Sequence, residues 1–159
     1  MPEGPEIAVT ALFLKYNLVG KKIGNIKVLG GRYTHQTLVG KSILVNKCYK
    51  VVDIGFKGKF LWFELKDKKP IYIMSTFGMS GRWSFECDKN SRISLEICET
   101  TKTLYYTDPR NFGTLKITRS KDLLQEKLDS IAMDLLQTDM TIKQLTDHIS
   151  DFAYNKQDI

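Results

Sequence analysis

The first apolar pattern in the chain has the spacing of a helix. Apolar residues recur at i, i+4, i+7 and i+11 and would share one stripe of a helix surface, namely Ile7, Ala11, Leu14 and Leu18. Pro5 suits the first turn, and Gly20 supplies a stop just after the last apolar residue. The pattern therefore predicts a helix that begins near Gly4 and ends near Leu18.

From Lys22 to about Thr118 the pattern changes to short apolar segments separated by glycines and polar turns, which is typical of strands. We predict single strands at 23–28, 59–65, 70–76, 82–87, 92–98, 103–107 and 114–118, and a pair of strands within 42–54. About eight short strands with frequent turns predict an α+β fold that is mainly β. We expect an antiparallel β-sandwich with an N-terminal helix and C-terminal helices.

Helical signals return after Ser120, which can cap a helix that contains Leu124 and Leu128. Thr141 and Gln144 have the spacing of a capping box, and the apolar residues that follow share one face. The chain then stops in a polar stretch that could begin a further helix. We therefore expect a fragment of a longer protein.

The net charge of +6 and the pI near 9.2 point towards a polyanionic partner. A solvated, lysine-rich surface would give the same charge without such a partner. No apolar run approaches the ~18 residues of a membrane-spanning helix, and no apolar segment behind a basic start resembles a secretory signal. We expect neither feature and no membrane partner.

The cysteines are Cys48, Cys87 and Cys98, an odd number without a C-x-x-C pair. This pattern favours free thiols in a reducing, intracellular compartment. With only His35 and His148 besides, the sequence predicts no zinc or other metal site.

The first six residues, MPEGPE, carry the most unusual candidate chemistry. Once Met1 is removed, Pro2 would present a secondary α-amine, a group that titrates near pH ~8 in model peptides. Such an amine can attack an aldehyde-like carbon to give an iminium, and Glu3 and Glu6 are candidates for proton transfer. The alternative is that Pro2 and Pro5 stiffen a helix start and the glutamates favour its dipole.

Three later loops place unusual residues at turns. Residues 55–59 put Lys59 at the start of an apolar strand, which would fix the direction of its side chain and place its charge at one phosphate or base. The alternative is an ordinary solvated lysine at a turn. Residues 76–81 place Met79 between glycines, as a flexible apolar wedge or a gap-filling core residue. Residues 106–113 form a turn that would present Arg110 and Phe112 side by side, or pack the phenylalanine beneath the turn.

MPEGPE, the lysine loop around Lys59, FGMSG and TDPRNFG, in this order, resemble the formamidopyrimidine-DNA glycosylase/endonuclease VIII family. The resemblance covers residues 2–118. It divides the chain into a catalytic β-sandwich domain, 1–118, and a helical linker with the start of a helix–two-turn–helix module, 119–159. PEGPE is more similar to the endonuclease VIII branch than to the PELPE of the other branch, which implies a preference for oxidised pyrimidines.

The resemblance implies a role for each motif residue near the sugar. Pro2 would be the Schiff-base nucleophile on C1′, and Glu3 the acid that helps to open the sugar ring. Lys59 would bind the phosphate near the lesion and assist β-elimination, and Glu6 would support the site.

The resemblance also implies how DNA is held. Met79 and Phe112 would fill the gap left by a flipped base, and Arg110 would face the base left behind. The implied function is a base-excision-repair DNA glycosylase with AP-lyase activity, a monomer that acts inside the cell on double-stranded DNA with damaged bases or abasic sites.

The sequence departs from the family after about residue 136. No Gly-Ile-Gly-Asn-type turn and no cysteine zinc finger follow, so we expect no cofactor in this chain. One alternative is therefore a DNA-binding fragment without turnover. Another is an N-terminal-proline tautomerase with Pro2 as its base, which would leave Lys59, Met79 and the Arg110–Phe112 turn without a role.

Overall fold

The computed structural model describes residues 3–135; Pro2 and the predicted capping box at 141–144 lie outside them. The helices are α1 (Gly4–Leu18), α2 (Lys41–Leu44) and α3 (Lys121–Leu135), with a 3₁₀ turn at Gly31–Thr34. The strands are β1 (Lys22–Val28), β2 (Cys48–Lys57), β3 (Phe60–Leu65), β4 (Ile71–Thr76), β5 (Arg82–Ser84), β6 (Ser91–Ile97), β7 (Thr103–Thr107) and β8 (Leu115–Thr118). None of the helices described is long and apolar enough to cross a membrane.

The eight strands form one antiparallel sheet in the order β5-β7-β6-β1-β2-β3-β4-β8, which confirms the predicted fold class. β2 belongs to both parts of this sheet, because its first residues pair with β1 and the residues from Val51 onward pair with β3. We call β5, β7, β6 and β1 half A, and β3, β4, β8 and β2 from Val51 half B. The ring of Trp83 in half A lies 5.0 Å from that of Phe63 in half B, so the two halves face each other across a core.

The predicted pair of strands within 42–54 is wrong. Residues 41–44 form the short helix α2, and only β2 follows. Gly40 precedes this helix with φ +81°, and Asn46 follows it with φ +55°. Glycine takes such angles without strain, and asparagine is among the few other residues that tolerate them. The chain therefore turns twice where an alternating apolar pattern suggested a strand.

The apolar stripe of α1 is confirmed as buried, since each of its predicted members is at most 1% exposed, namely Ile7, Ala11, Leu14 and Leu18. β3 is apolar on both faces because each face is covered. Leu61 and Phe63 point into the core between the halves, whereas Phe60 and Trp62 belong to a second cluster with Leu124 of α3.

Helix α3 begins at the predicted cap. The backbone N–H of Leu123 donates to Ser120 Oγ at 3.2 Å. Leu124 and Ile131 then pack on the outer face of β3 and β4, beside Tyr72. The domain boundary placed at residue 118 stays a prediction.

The expectation of three free thiols is wrong for two of them. Cys48 and Cys98 form a disulfide with their Cα atoms 6.5 Å apart, and Cys87 is unpaired and exposed. The partners are 50 positions apart in sequence. Their proximity arises because β2 and β6 both pair with β1, which the cysteine spacing alone does not reveal.

Candidate active site

Three loops meet at one end of half B. Phe60, the first residue of β3, pairs with Thr76, the last residue of β4. Ser75 in turn pairs with Leu115, the first residue of β8. Neighbouring strands lie about 4.8 Å apart, so the loops that flank these residues are side by side. We call them the lysine hairpin (57–60), the methionine loop (77–81) and the arginine tip (108–114).

The N-terminus of α1 approaches the lysine hairpin. Lys59 Nζ lies 3.4 Å from Glu3 Oε2, and the two side chains are 48% and 58% exposed. Gly58 makes the tight turn possible with φ +57°. The backbone N–H of Glu3 donates to the Glu6 carboxylate at 3.3 Å, so Glu6 holds the backbone of Glu3 in place.

The pair of Glu3 and Lys59 adds little to stability. Ion pairs at exposed positions contribute about 0–1 kcal/mol. Both groups remain open to a ligand, and either can be changed without loss of core packing. The structure thus brings together three predicted site residues, Glu3, Glu6 and Lys59, while Pro2 lies outside the described residues, next to Glu3 in the chain.

The predicted wedge residues project from the other two loops. Met79 is 45% exposed and Phe112 57% exposed, and Arg110 is exposed as well. Neither apolar side chain belongs to a core cluster of the described residues. The structure therefore does not have either alternative considered above. Met79 does not fill a gap in the core, and Phe112 does not pack beneath the turn.

Asp108 joins the methionine loop to the arginine tip. Its side chain is 1% exposed and accepts hydrogen bonds from Ser80 Oγ and from the Gly113 N–H, both at 2.7 Å. Ser80 Oγ also accepts the Arg110 N–H at 3.2 Å. A Cβ at Gly78 would lie 2.7 Å from the backbone of the arginine tip, so the two loops touch directly.

Sequence reasoning missed Asp108 and Ser80. The Asp-Pro pair signalled only a turn, and nothing in the local pattern indicated a buried carboxyl group. Arg92 was missed too: it lies on β6 in half A, and its Nε donates to the Asp108 carbonyl at 3.1 Å. The loops are therefore supported from both halves of the sheet.

Tyr106 closes the base of the same region. Its hydroxyl donates to the Thr76 carbonyl at 2.7 Å, and the side chain is 2% exposed. The hydroxyls of Thr76 and Thr114 lie 2.6 Å apart beside it. Burial, and then the nearby Asp108, raise the pKa of Tyr106 far above its usual value near 10.

This pKa predicts a loss of stability in alkali. The unfolded chain releases the tyrosine proton above about pH 10, whereas the folded protein keeps it. The contribution of the protonated Tyr106 hydroxyl to the free energy of unfolding is therefore complete below that pH and falls as the pH rises. We expect Tyr106→Phe to remove this part of the fall, about 1.4 kcal/mol at pH 11, in urea unfolding measured from pH 8 to 11.

Tyr106→Phe also leaves the Thr76 carbonyl without its partner, which costs about 1 kcal/mol at every pH. The difference between pH 8 and pH 11, and not the absolute stability, is thus the quantity to compare. Thr114→Val removes a hydroxyl beside Thr76 but no titratable group, so it is the control and should keep the wild-type difference. Equal falls in the wild-type and Tyr106→Phe proteins would contradict the prediction.

The sequence model of the formamidopyrimidine-DNA glycosylase N-terminal domain matches residues 1–115. Two similar curated proteins are formamidopyrimidine-DNA glycosylases. The one from Albidiferax ferrireducens is 26% identical over 161 residues, covering 94% of this chain and 55% of the relative. The one from Mycoplasma pneumoniae is 30% identical over 145 residues, covering 86% and 50%. The chain thus spans about half the length of the curated relatives it matches.

Solved structures give the same picture of the fold. A complex of wild-type Lactococcus lactis Fpg with DNA that contains N7-benzyl-Fapy-dG matches with a TM-score of 0.66 and 25% identity. The match covers 80% of this chain and 48% of that one. A complex of MutM with DNA that contains carbocyclic 8-oxo-G matches with the same TM-score and identity.

Proposed function

Because the chain belongs to the family of the formamidopyrimidine-DNA glycosylase N-terminal domain, we propose that it is the catalytic part of a base-excision-repair DNA glycosylase with AP-lyase activity. Its proposed substrate is double-stranded intracellular DNA with a damaged base or an abasic site, bound by one copy of the chain. The observation that carries this proposal is the accessible pair of Glu3 and Lys59. Glu3 immediately follows Pro2 in sequence, and Lys59 lies in the hairpin beside the loops that expose Met79 and Phe112.

In the proposed mechanism the Pro2 amine forms a bond to C1′ of the damaged nucleotide as the base leaves. Glu3 gives a proton to the sugar ring oxygen, so that the ring opens and an iminium forms between Pro2 and C1′. The iminium withdraws electrons from C2′, a C2′ proton is lost, and the 3′ phosphate leaves by β-elimination. Pro2 suits this chemistry because a secondary amine gives up its single N–H proton when it attacks, so the iminium has no N–H proton to lose and keeps its positive charge.

Lys59 has two possible partners in this scheme. Without DNA its ammonium group faces the Glu3 carboxylate at 3.4 Å. A phosphate of bound DNA would compete for the same ammonium, since phosphates attract lysines strongly. Binding of the phosphate would thereby release Glu3 for proton transfer to the sugar.

The methionine loop and the arginine tip would act before the chemical reaction, when the damaged nucleotide leaves the duplex. C1′ is accessible only after the nucleotide leaves the stack, at a cost of a few kcal/mol. Insertion of exposed apolar side chains into the gap offsets part of that cost. Since Asp108 ties the two loops together, Met79 and Phe112 would enter the duplex as one unit, with Arg110 facing the unpaired base.

Borohydride trapping tests the proposal. The chain is mixed with a duplex that contains one abasic site, and borohydride reduces any iminium to a stable crosslink. We expect a covalent adduct with the wild-type chain and with the control Glu6→Gln, in which peptide mass mapping finds the sugar remnant on Pro2, and a lower yield with Pro2→Gly, whose α-amine is primary. A wild-type crosslink that maps to a lysine would refute Pro2 as the nucleophile.

Lesion choice is a separate part of the proposal. Gly4 in PEGPE supports a preference for oxidised pyrimidines, whereas solved complexes of Lactococcus lactis Fpg contain a formamidopyrimidine derived from guanine. Excision from matched duplexes that carry either lesion, under single-turnover conditions, distinguishes the two. Faster excision of the guanine-derived lesion would reject the pyrimidine preference.

A second candidate function is DNA binding without turnover. It is favoured by the net charge of +6, which attracts a polyanion such as DNA without any catalytic group. Two results together would support it. The affinity for a lesion duplex would fall steeply with salt, with a slope of log affinity against log salt concentration of about −0.9 per phosphate contact. Borohydride would give no crosslink between the chain and abasic DNA.

A further inference from the structure

The Cys48–Cys98 disulfide lies where half A joins half B. β2 passes from one half to the other, and three residue pairs join it to β1, from Lys22↔Lys50 to Gly24↔Cys48. Two backbone bonds flank these pairs, from the Asn25 N–H to the Lys47 carbonyl and from the Val51 N–H to the Lys21 carbonyl. Cys98 follows β6 on the other side of β1, and its N–H donates to the Lys22 carbonyl at 2.9 Å. The disulfide therefore spans β1 and connects the two strands that flank it.

Buried side chains support one side of this junction, since Ile23, Val51 and Ile97 belong to the main core cluster. A Cβ at Gly24 would collide with the backbone of Lys47 and Cys48, so β1 approaches the start of β2 without room for a side chain. Cys48 and Cys98 are only partly buried and belong to neither core cluster. The covalent bond thus adds a constraint outside the core, at two cysteines that are partly exposed.

We propose that Cys48 and Cys98 form a reversible thiol-oxidation site that controls the stability of the junction between the two halves. In the oxidising direction, one cysteine thiolate attacks a small-molecule disulfide such as oxidised glutathione. A mixed disulfide forms and one glutathione thiolate leaves. The second cysteine thiolate then attacks the protein sulfur of the mixed disulfide, which forms the Cys48–Cys98 bond and releases the second glutathione.

The bond lies far from the proposed chemistry. The Gly20 N–H, just after α1, donates to the Val51 carbonyl at 2.9 Å, which places the C-terminal end of α1 beside the start of β2. Glu3 and Lys59 are at the N-terminal end of the same helix. A helix of 15 residues is about 22 Å long. Oxidation therefore changes thermal stability and leaves the reaction at Glu3 and Lys59 unchanged.

The experiment compares the full chain oxidised with glutathione disulfide and reduced with dithiothreitol. Thiol titration and intact mass of the unfolded chain should find the Cys48–Cys98 bond after oxidation, with Cys87 either free or carrying one glutathione, and three free thiols after reduction. Closing a long loop stabilises the folded state mainly through the unfolded chain, so we expect reduction to lower the Tm by roughly 10 °C.

Two serine variants make the result specific. Cys48→Ser should show the lower Tm with or without oxidant. Cys87→Ser, at the exposed unpaired cysteine, should keep the full shift. Three titratable thiols after oxidation, an equal Tm in both states, or a shift that persists in Cys48→Ser would each overturn the proposal.

Crosslinking to abasic DNA at 20 °C, in both redox states, tests the claim that the chemistry is unaffected. Equal yields support it, and a yield that follows the redox state would overturn that part. The Tm and thiol measurements need no DNA, so they decide the redox site even if the proposed glycosylase function fails.

Discussion

Replacement of Glu3 by glutamine is expected to slow base excision by about 10²–10⁴-fold, the usual contribution of a positioned general acid. Glutamine keeps the size and the hydrogen-bonding capacity of the side chain but has no proton to give to the sugar ring oxygen. The Glu3 side chain is 58% exposed and outside the core, so folding should be unaffected. Single-turnover excision from a lesion duplex measures the effect.

Glu6→Gln is the matched control for this result. Glu6 accepts the Glu3 N–H, and a glutamine carbonyl oxygen can accept the same bond. We therefore expect excision within about 3-fold of the wild-type rate, far from the loss expected for a general acid. Comparable losses in both variants would show that the two carboxyl groups act together, and an unimpaired Glu3→Gln protein would exclude Glu3 as the acid.

Replacement of Asp108 by alanine is expected to destabilise the protein by about 3–5 kcal/mol. Two donors, Ser80 Oγ and the Gly113 N–H, lose their acceptor in a buried position, and each unsatisfied group costs about 1–3 kcal/mol. Urea unfolding with the disulfide intact measures the change. Because Asp108 also connects the methionine loop to the arginine tip, we expect the affinity of the Asp108→Ala protein for a lesion duplex to fall further than its affinity for undamaged DNA.

Two variants define what Asp108 does. Ser80→Ala removes one of the two donors and should cost about 1–3 kcal/mol, less than Asp108→Ala. Asp129→Asn alters an exposed carboxyl group on α3 that accepts a bond from Gln125, and surface changes of this kind stay within about 0.5 kcal/mol. If Asp108→Ala were as mild as Asp129→Asn, the buried network would have no structural importance.

The spacing of apolar residues predicted those elements whose structure is determined by residues close together in sequence. The stripe of α1, the strands from β3 to β8 and the Ser120 cap follow from apolar spacing and capping chemistry, and the structure places them within a few residues of the prediction. The motifs likewise identified Glu3 and Lys59 before their proximity was known.

The features that sequence missed depend on contacts between distant segments. The disulfide brings together two cysteines 50 positions apart, which requires the strand order. Asp108 looked like a turn residue because its burial is decided by Ser80 and Arg92, neither of which is its neighbour in sequence. The helix α2 replaced a strand because the backbone angles of Gly40 and Asn46 outweighed the apolar alternation around them.

The methionine loop carries the chain from β4 in half B to β5 in half A, and the arginine tip carries it back from β7 to β8. The loops that are proposed to enter DNA are thus also the connections between the two halves of the sandwich. Insertions or deletions in either loop would change the spacing of the two halves, whereas the turn at 66–70 joins neighbouring strands of the same half. Variation in length during evolution is therefore expected to concentrate in that turn, while the methionine loop and the arginine tip keep a fixed length.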